Sequence, residues 1–237
     1  EVYADQWALK RVGFGPVDGG QPSAWPTEPS SLTPCVVAVI GSGVDWTHPE
    51  LQGQMWINRG ENPWNGRDDD GNGYVDDQFG WNFRENNSDV MDTGGHDTHV
   101  AGVIAARSNN GYGIAGANPA ARIMALKAAN YLGHADAVSI ANAIRYAVNN
   151  GARIINISYG GDRSSPLEQR AIEYAASHGV LVIAAAGNQG VDAKDYAIAN
   201  SPLALTVAGS TTDDQRAGFS NWGQPVDLTA PAMDILS

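Results

Sequence analysis

Short apolar strands alternate with amphipathic helices along this chain, and that alternation constrains the fold more than any other feature. A first apolar, β-branched run occupies residues 35–40, and similar runs follow at 122–128, 153–158, 180–186 and 204–210. Runs that are apolar on both faces are typical of buried parallel strands, and strands alternating with helices form right-handed βαβ units. The pattern therefore predicts an α/β fold with a mostly parallel central sheet and helices on both faces.

Two of the intervening helices carry their own start and stop signals. Residues 136–150 repeat apolar side chains at helical spacing, and Gly151 follows where a helix-ending glycine belongs. The next helix begins with Ser-Pro-Leu-Glu at 165–168, a capping box with proline at the first helical position, and ends at Gly179. These signals fix the helix boundaries closely.

Composition and charge exclude several classes of protein. The chain has 237 residues, 43% hydrophobic and 17% charged, which is a globular composition that fits one domain over residues 1–237, with a surface lead-in at 13–34. A net charge of −12 argues against a nucleic-acid partner, which needs clustered Lys and Arg. No apolar run approaches the roughly 20 residues that span a bilayer, and the first residues lack the features of a signal peptide. Because Cys35 is the only cysteine, an internal disulfide is excluded.

The loops that follow the predicted strands are where a site is expected. A doubly wound sheet binds its ligand at the carboxyl ends of the strands, which here are followed by residues 41–43, 158–160 and 187–188. The Gly-Ser-Gly at 41–43 suggests a dinucleotide site at first. That interpretation fails because Trp46 stands at the third glycine position and residues 47–49, Thr-His-Pro, cannot continue a helix.

Five segments of the chain resemble those of one enzyme family in composition, order and spacing. They are VVAVIGSGVDWTHPEL, GGHDTHVAGVIAA, RIINISYGG, VLVIAAAGNQG and VDLTAPAMDIL. Together they resemble the subtilisins, peptidase family S8, from about residue 5 to the last residue. The resemblance implies a subtilisin-like three-layer fold and a serine-type endopeptidase that hydrolyses peptide bonds in polypeptide substrates.

The resemblance also implies roles for individual residues. His96 matches the catalytic histidine and Asn188 the asparagine of the oxyanion hole. A lone histidine would more often be structural, and a metal pair from His96, Asp97 and His99 is an alternative that i, i+3 geometry allows. An extended substrate is expected to contact Ser158, Tyr159, Gly160, Leu132, Gly133, Ala186 and Gly187.

Two residues depart from the family pattern at the catalytic centre. Gly41 stands where the family has its catalytic aspartate, directly after the first strand, and Asp45 is a later acid of the same motif. Without that carboxylate the tautomer of the imidazole is uncontrolled, and in subtilisin its removal costs on the order of 10⁴ in kcat. Asp97 stands where the family has glycine. We do not expect Asp97 to replace the lost carboxylate, because adjacent side chains on a helix diverge.

The nucleophile is a third departure. In the family, a Gly-Thr-Ser-Met-Ala segment with the reactive serine follows VDLTAPAMDIL after a short stretch, and Ser237 lies too early to be that serine. The helix that carries this serine is a core element, so without it we expect an apolar groove, completed by a second chain or segment or repaired in some other way. The chain is therefore predicted to be C-terminally incomplete and inactive as it stands. The alternative is a pseudoprotease that binds peptides or acts as a scaffold.

An acidic loop, RDDDGNGYVDD at residues 67–77, predicts a calcium site. The expected ligands are Asp68, Asp70, Asn72, the Tyr74 carbonyl and Asp76, the hard oxygen donors that calcium prefers. The loop is not an EF-hand, because Phe79 stands where the glutamate at position 12 belongs, and a solvated acidic loop is the alternative. Glu50 matches a second calcium position of the family. Calcium use, together with the habit of the family, favours an extracellular location.

Overall fold

The computed structural model describes residues 5–14, 34–130, 132–159, 161 and 165–237. Residues 15–33 of the predicted lead-in lie outside this part of the chain. The described α-helices are α1 (Trp7–Arg11), α2 (His96–Ala105), α3 (Ala137–Asn149) and α4 (Pro166–Ser177). The described strands are β1 (Val36–Gly41), β2 (Gly80–Asn82), β3 (Arg122–Lys127), β4 (Ile154–Ile157), β5 (Leu181–Ala185), β6 (Ala204–Ser210) and β7 (Leu228–Pro231).

All seven strands form one parallel sheet in the order β2-β3-β1-β4-β5-β6-β7. Strand β1 is central, with Val39 aligned with Ala125 of β3 on one side and with Asn156 of β4 on the other. The predicted α/β fold is therefore confirmed. Because every strand runs in the same direction, all the carboxyl ends lie at one edge of the sheet.

Strand β1 is apolar throughout because helices cover both faces of the sheet there. Val37 and Val39 of β1 pack into a core cluster with α2, to which Ala101 contributes. Ile40 points to the opposite face and joins the cluster built on α3 and α4. Side chains alternate between the faces of a strand, so a strand buried on both sides has no polar face. This alternation gives three layers, with α2 on one face of the sheet and α3 and α4 on the other.

The predicted helix boundaries are confirmed by their capping contacts. The Asp136 carboxylate accepts hydrogen bonds from the N–H groups of Val138 and Ser139 at the start of α3. The Ser165 hydroxyl accepts from Leu167 N–H at the start of α4, which has Pro166 at its first position. Gly151 and Gly179 follow the two helices at positive φ, +82° and +70°, a conformation that glycine adopts without strain.

Two strands were not predicted from the sequence. Strand β2 has three residues within a stretch interpreted as loop, too short for a periodic pattern, and it forms by pairing with β3. Strand β7 begins at the half-exposed Leu228 and forms the sheet edge beside β6. Among the described helices, none combines the length and the apolar character that crossing a bilayer requires.

Candidate active site

The sheet edge at the carboxyl ends of β1, β4 and β5 gathers the predicted catalytic residues. Helix α2 begins at this edge with His96, and the Asp92 carboxylate secures its first turn. Asp92 Oδ2 accepts hydrogen bonds from Thr98 N at 3.1 Å and Thr98 Oγ1 at 2.9 Å. Asp92 Oδ1 accepts from the hydroxyl of Ser42 at 3.1 Å. The start of α2 is therefore fastened to the loop that follows β1.

The imidazole of His96 is bonded to the side chain that follows it in the chain. His96 Nδ1 lies 2.8 Å from Asp97 Oδ1. The Asp97 side chain is 2% exposed, whereas the His96 side chain is 64% exposed. A buried carboxylate thus bonds one nitrogen of the ring, while most of the imidazole remains exposed.

The Asp97 carboxylate lies directly against Gly41. Its Oδ2 accepts hydrogen bonds from the N–H of Ser42 and, at 3.4 Å, from the Ser42 hydroxyl. A Cβ atom on residue 41 would overlap Asp97 Oδ2 and lie 2.7 Å from Asp97 Cγ, closer than real Cβ contacts occur. The carboxylate therefore occupies the space in which a side chain at position 41 would begin.

The expectation that the side chains of His96 and Asp97 diverge is wrong. Adjacent side chains of a regular helix point in different directions, but His96 is the first residue of α2, and the glycine opposite Asp97 leaves room for its carboxylate. Sequence reasoning considered α2 alone and missed the loop after β1. The two residues that depart from the family pattern, Gly41 and Asp97, are in contact.

The environment of His96 raises the pKa of its imidazole. The hydrogen bond to Asp97 is the largest cause, and the negative charges of Asp97 and Asp92 act in the same direction, while burial opposes them. Neighbouring carboxylates stabilise the protonated form of an imidazole relative to the same ring without them. The site therefore stabilises the positive charge that a general base acquires when it takes up a proton.

His96 and Asn188 line the same cleft, which has a volume of about 420 Å³. The predicted substrate residues Ser158, Ala186 and Gly187 line it as well. Much of the remaining lining is apolar: Val100, Ile183, Val207, Ala208, Phe219 and Ile235. The exposed Asn188 side chain makes no hydrogen bond to any other described residue, so its amide is available to a ligand.

The loop that carries Asn188 is held by Asn221, a residue that the sequence analysis did not single out. The fully buried Asn221 donates to the Ala186 carbonyl at 2.9 Å and accepts from the N–H groups of Gln189 and Val191. Gly187 adopts φ +104°, and a Cβ there would approach Tyr196 Cε1 to 3.0 Å. A buried asparagine with its amide satisfied on both sides fixes the loop in one conformation.

A second pocket of about 210 Å³ adjoins the cleft, because His96 and Ser158 line both. Leu132 and Gly133 lie on its rim together with Tyr159. The structure therefore brings the predicted substrate residues on the two sides of the pocket to the same imidazole. Gly160 lies outside the described residues.

In the acidic loop, Asp68 and Asp76 bind backbone rather than one another. Asp68 accepts hydrogen bonds from the N–H groups of Gly71, Asn72 and Gly73, and the bond from Gly73 is the largest cause that lowers the pKa of Asp68. Asp76 accepts from the N–H groups at residues 65 and 66. These two carboxylates shape the loop and do not converge on a common point.

The carboxylates that do converge are those of Glu61, Asp70 and Asp77, whose oxygens lie within 4.8 Å of one another. Of these three residues, only Asp70 is among the predicted ligands. Glu61 lies outside the motif, and Asp77 lies within it but is not a predicted ligand. Asp77 is fully buried, which raises its pKa, and it accepts hydrogen bonds from Asn58, Asn72 and Tyr146. Neither of the ion pairs found within the described residues involves this cluster.

Glu50, the second position suggested for calcium, is buried, with 4% exposure. Its Oε1 accepts a hydrogen bond from Asn110 at 3.3 Å, whereas its Oε2 is buried and has no partner among the described residues. A buried carboxylate oxygen without a donor is costly unless a cation neutralises it.

The fold and the cleft define a parallel α/β protein with an exposed, carboxylate-bonded histidine at the carboxyl edge of its sheet. Residues 33–237 match the subtilase family of peptidases, S8, and the chain belongs to that family.

Named relatives agree with this assignment. The chain is 38% identical over 201 residues to the thermophilic serine proteinase of Bacillus sp. (strain AK1), covering 85% of this chain and 44% of the relative. It is 34% identical over 224 residues to thermitase of Thermoactinomyces vulgaris, covering 94% and 71%. A cold adapted subtilisin-like serine proteinase of known crystal structure superposes with a TM-score of 0.74 at 27% identity, covering 97% of this chain and 73% of that one. The chain thus spans less than half of the first relative's length.

Proposed function

We propose that this chain is the larger part of the catalytic domain of a serine endopeptidase that hydrolyses peptide bonds in polypeptides. The observation that carries the proposal is the position of His96 and Asn188 on one cleft. In this role His96 accepts the proton of a serine nucleophile and returns it to the leaving amine. The Asn188 amide donates a hydrogen bond to the oxyanion that forms on the substrate carbonyl.

The proposed substrate is an extended peptide that lies between residues 132–133 and 158–159. Both segments border the pocket beside His96, on opposite sides of the loop after β1. Backbone pairing with such segments recognises any unfolded chain, because main-chain N–H and C=O groups are common to all sequences. Polypeptides with exposed, flexible segments are therefore the class of substrate.

The nucleophile is proposed to come from the Gly-Thr-Ser-Met-Ala segment that the family places after VDLTAPAMDIL. The apolar lining of the cleft supports this, since a core helix that carries the serine would cover residues such as Val207 and Phe219. The term complete catalytic domain is used below for these 237 residues followed by that segment. In this proposal the segment supplies the serine, and this chain supplies the base, His96, and the oxyanion donor, Asn188.

A pseudoprotease that binds peptides without cleaving them is the second candidate, and Gly41 is the observation that favours it. A fluorophosphonate probe distinguishes the two, because only an activated serine reacts with it. Labelling of the complete catalytic domain that is lost in His96→Ala supports the peptidase. Peptide binding without labelling supports the pseudoprotease.

Replacement of the oxyanion donor tests the proposed mechanism. We expect Asn188→Ala to lower kcat for peptide hydrolysis by about 10²- to 10³-fold with little change in KM, because the bond to the oxyanion forms in the transition state. The measurement is steady-state hydrolysis by the complete catalytic domain. Asn200→Ala, at an exposed asparagine away from the cleft, is the control and should leave kcat unchanged. Equal kcat in both variants would contradict the role of Asn188.

We further propose that the acidic loop binds calcium through Glu61, Asp70 and Asp77. These carboxylates fit the ion, because they offer hard oxygens at one point and no described Lys or Arg neutralises them. Calcium supplies positive charge there and cross-links the loop, a structural rather than a catalytic contribution. A location outside the cell follows from this proposal, since calcium is plentiful there.

Calcium is expected to raise the melting temperature of the protein. At about 100 times Kd, binding adds about 2.7 kcal/mol. For a domain of this size, that corresponds to roughly 5–10 °C. We expect Asp70→Asn to lose most of this gain in thermal unfolding with calcium and with EDTA. Asp213→Asn removes one exposed carboxylate elsewhere and should keep it. Identical melting with and without calcium in the unaltered protein would refute the site.

A further inference from the structure

We propose that Asp97 is the acid that orients His96, and that Gly41 and Asp97 together are an exchange of the family's aspartate and glycine between two positions. Asp97 is then a positioning residue, acting on the substrate through the imidazole. This inference rests on the proposed peptidase function, and it replaces the expectation that the loss of aspartate at position 41 inactivates the site.

The atoms in contact are those that the reaction requires. With Asp97 Oδ1 2.8 Å from His96 Nδ1, the carboxylate accepts the Nδ1 proton of the neutral ring. The ring proton then stays on Nδ1, and Nε2 carries the free lone pair that a general base uses. The His96 side chain is 64% exposed, so the opposite side of the ring is open to the cleft. A contact through the other ring nitrogen would have produced the wrong tautomer.

The position of the Asp97 carboxylate requires a glycine at position 41. A side chain at position 41 would overlap the Asp97 carboxylate, as its Cβ would lie 2.7 Å from Asp97 Cγ. The carboxylate reaches the end of β1 from α2 and is bonded there by the N–H of Ser42. It therefore fills the space into which a side chain of residue 41 would extend. Loss of the family aspartate alone would leave this space empty, whereas here the space is filled by a carboxylate.

The Asp97 carboxylate does not cap its own helix. An acid in the first turn of a helix commonly caps the free N–H groups, but in α2 that task belongs to Asp92, which accepts from Thr98 N. Within the described chain, the Asp97 carboxylate bonds only to Ser42 and His96, and none of these bonds is to the backbone of α2. A buried carboxylate is costly unless its partners favour the charge, and Ser42 and His96 are those partners.

The charged and titratable groups around the imidazole are few. Asp97 and Asp92 act on it through their charge, and His99 and Tyr159 line the pockets that it shares. Of these groups, only Asp97 bonds the ring. The protonation of His96 therefore reports directly on its hydrogen bond with Asp97.

The test is an NMR titration of the 237-residue chain with ¹⁵N-labelled histidine, which requires no catalysis. We expect Asp97→Asn to shift the pKa of His96 downward and to abolish the preference for the Nδ1–H tautomer. Asp97→Gly should have the same effect. The double variant Gly41→Asp with Asp97→Gly should restore both the pKa and the tautomer of His96. This rescue is one that a merely structural role for Asp97 would not produce.

The proposal is overturned if His96 titrates identically in the unaltered chain and in a folded Asp97→Asn variant. It is also overturned if the folded double variant behaves like Asp97→Gly alone; this second comparison decides the matter if Asp97→Asn does not fold. Failure of the peptidase function is a separate outcome: a responsive His96 in a complete catalytic domain that hydrolyses nothing would refute the function and leave the pair intact.

Discussion

Asp97→Asn is expected to lower kcat of the complete catalytic domain by about 10⁴-fold, the loss seen when the acid of the subtilisin triad is removed. The amide is nearly isosteric with the carboxylate but has no negative charge. It neither stabilises the imidazolium nor fixes the Nδ1–H tautomer. Because Asp97 acts through His96 and does not contact the substrate, KM should change little. Steady-state hydrolysis of a peptide substrate measures both constants.

The pH profile gives a second readout of the same variant. A general base must be neutral to act, so activity falls as the pH drops through the pKa of His96. Asp97 raises that pKa, so the unaltered enzyme should lose activity at a higher pH than Asp97→Asn does. Gly41→Asp with Asp97→Gly should recover most of kcat, and Asp213→Asn, at an exposed acid that lines neither the cleft nor the adjoining pocket, should leave it unchanged. Undiminished kcat in Asp97→Asn would exclude the exchange.

Gly41→Ala is expected to destabilise the protein by about 3 kcal/mol, since it overpacks a buried site and displaces a buried, hydrogen-bonded carboxylate. The backbone is not the cause, because residue 41 has ordinary strand geometry and pairs in register with Lys127. The cause is the collision of the new methyl group with the Asp97 carboxylate. The measurement is the free energy of unfolding in urea.

The control for this second prediction is the same substitution in a background that lacks the carboxylate. Gly41→Ala combined with Asp97→Gly should be no less stable than Asp97→Gly alone, because the methyl group then enters free space. The effects of residues in contact are not additive, and the double-mutant cycle measures their coupling. Additive costs would show that the side chain of Asp97 does not occupy the space beside Gly41.

Local sequence was sufficient for most of the architecture. The runs that became β1 and β3 are apolar and buried on both faces, whereas β4, β5 and β6 are fully buried on one face and only partly buried on the other, which lines the cleft. Apolar residues on both faces of a run indicate a parallel strand with layers on both sides. The caps of α3 and α4 are contacts between neighbours in the chain, so their residues indicate them directly. Strand β2 was missed for the converse reason: three residues carry no period, and pairing with β3 alone makes them a strand.

The acidic loop shows the same division between local and distant contacts. Its composition indicated a cation site, but not which oxygens converge. Glu61 joins Asp70 and Asp77 because the loop folds back on itself, and Tyr146 of α3 donates to Asp77 from a distant part of the chain. Asp68 and Asp76 instead satisfy backbone N–H groups near them. Spacing along the chain could not distinguish these roles.

The sequence by itself determined the parallel α/β fold, the family and the position of His96, because buried strands and helix caps depend on residues close together in the chain. Only the tertiary structure decided that the two unusual residues, Gly41 and Asp97, are in contact and that Asp97 bonds His96. Read separately, Gly41 indicates a lost acid, and Asp97 indicates a second, unrelated departure from the family pattern. Their relation depends on a contact between the end of β1 and the start of α2. There the Asp97 carboxylate accepts a hydrogen bond from Ser42, which lies 55 residues away in the chain. Such a contact exists only once the sheet and its helices have packed.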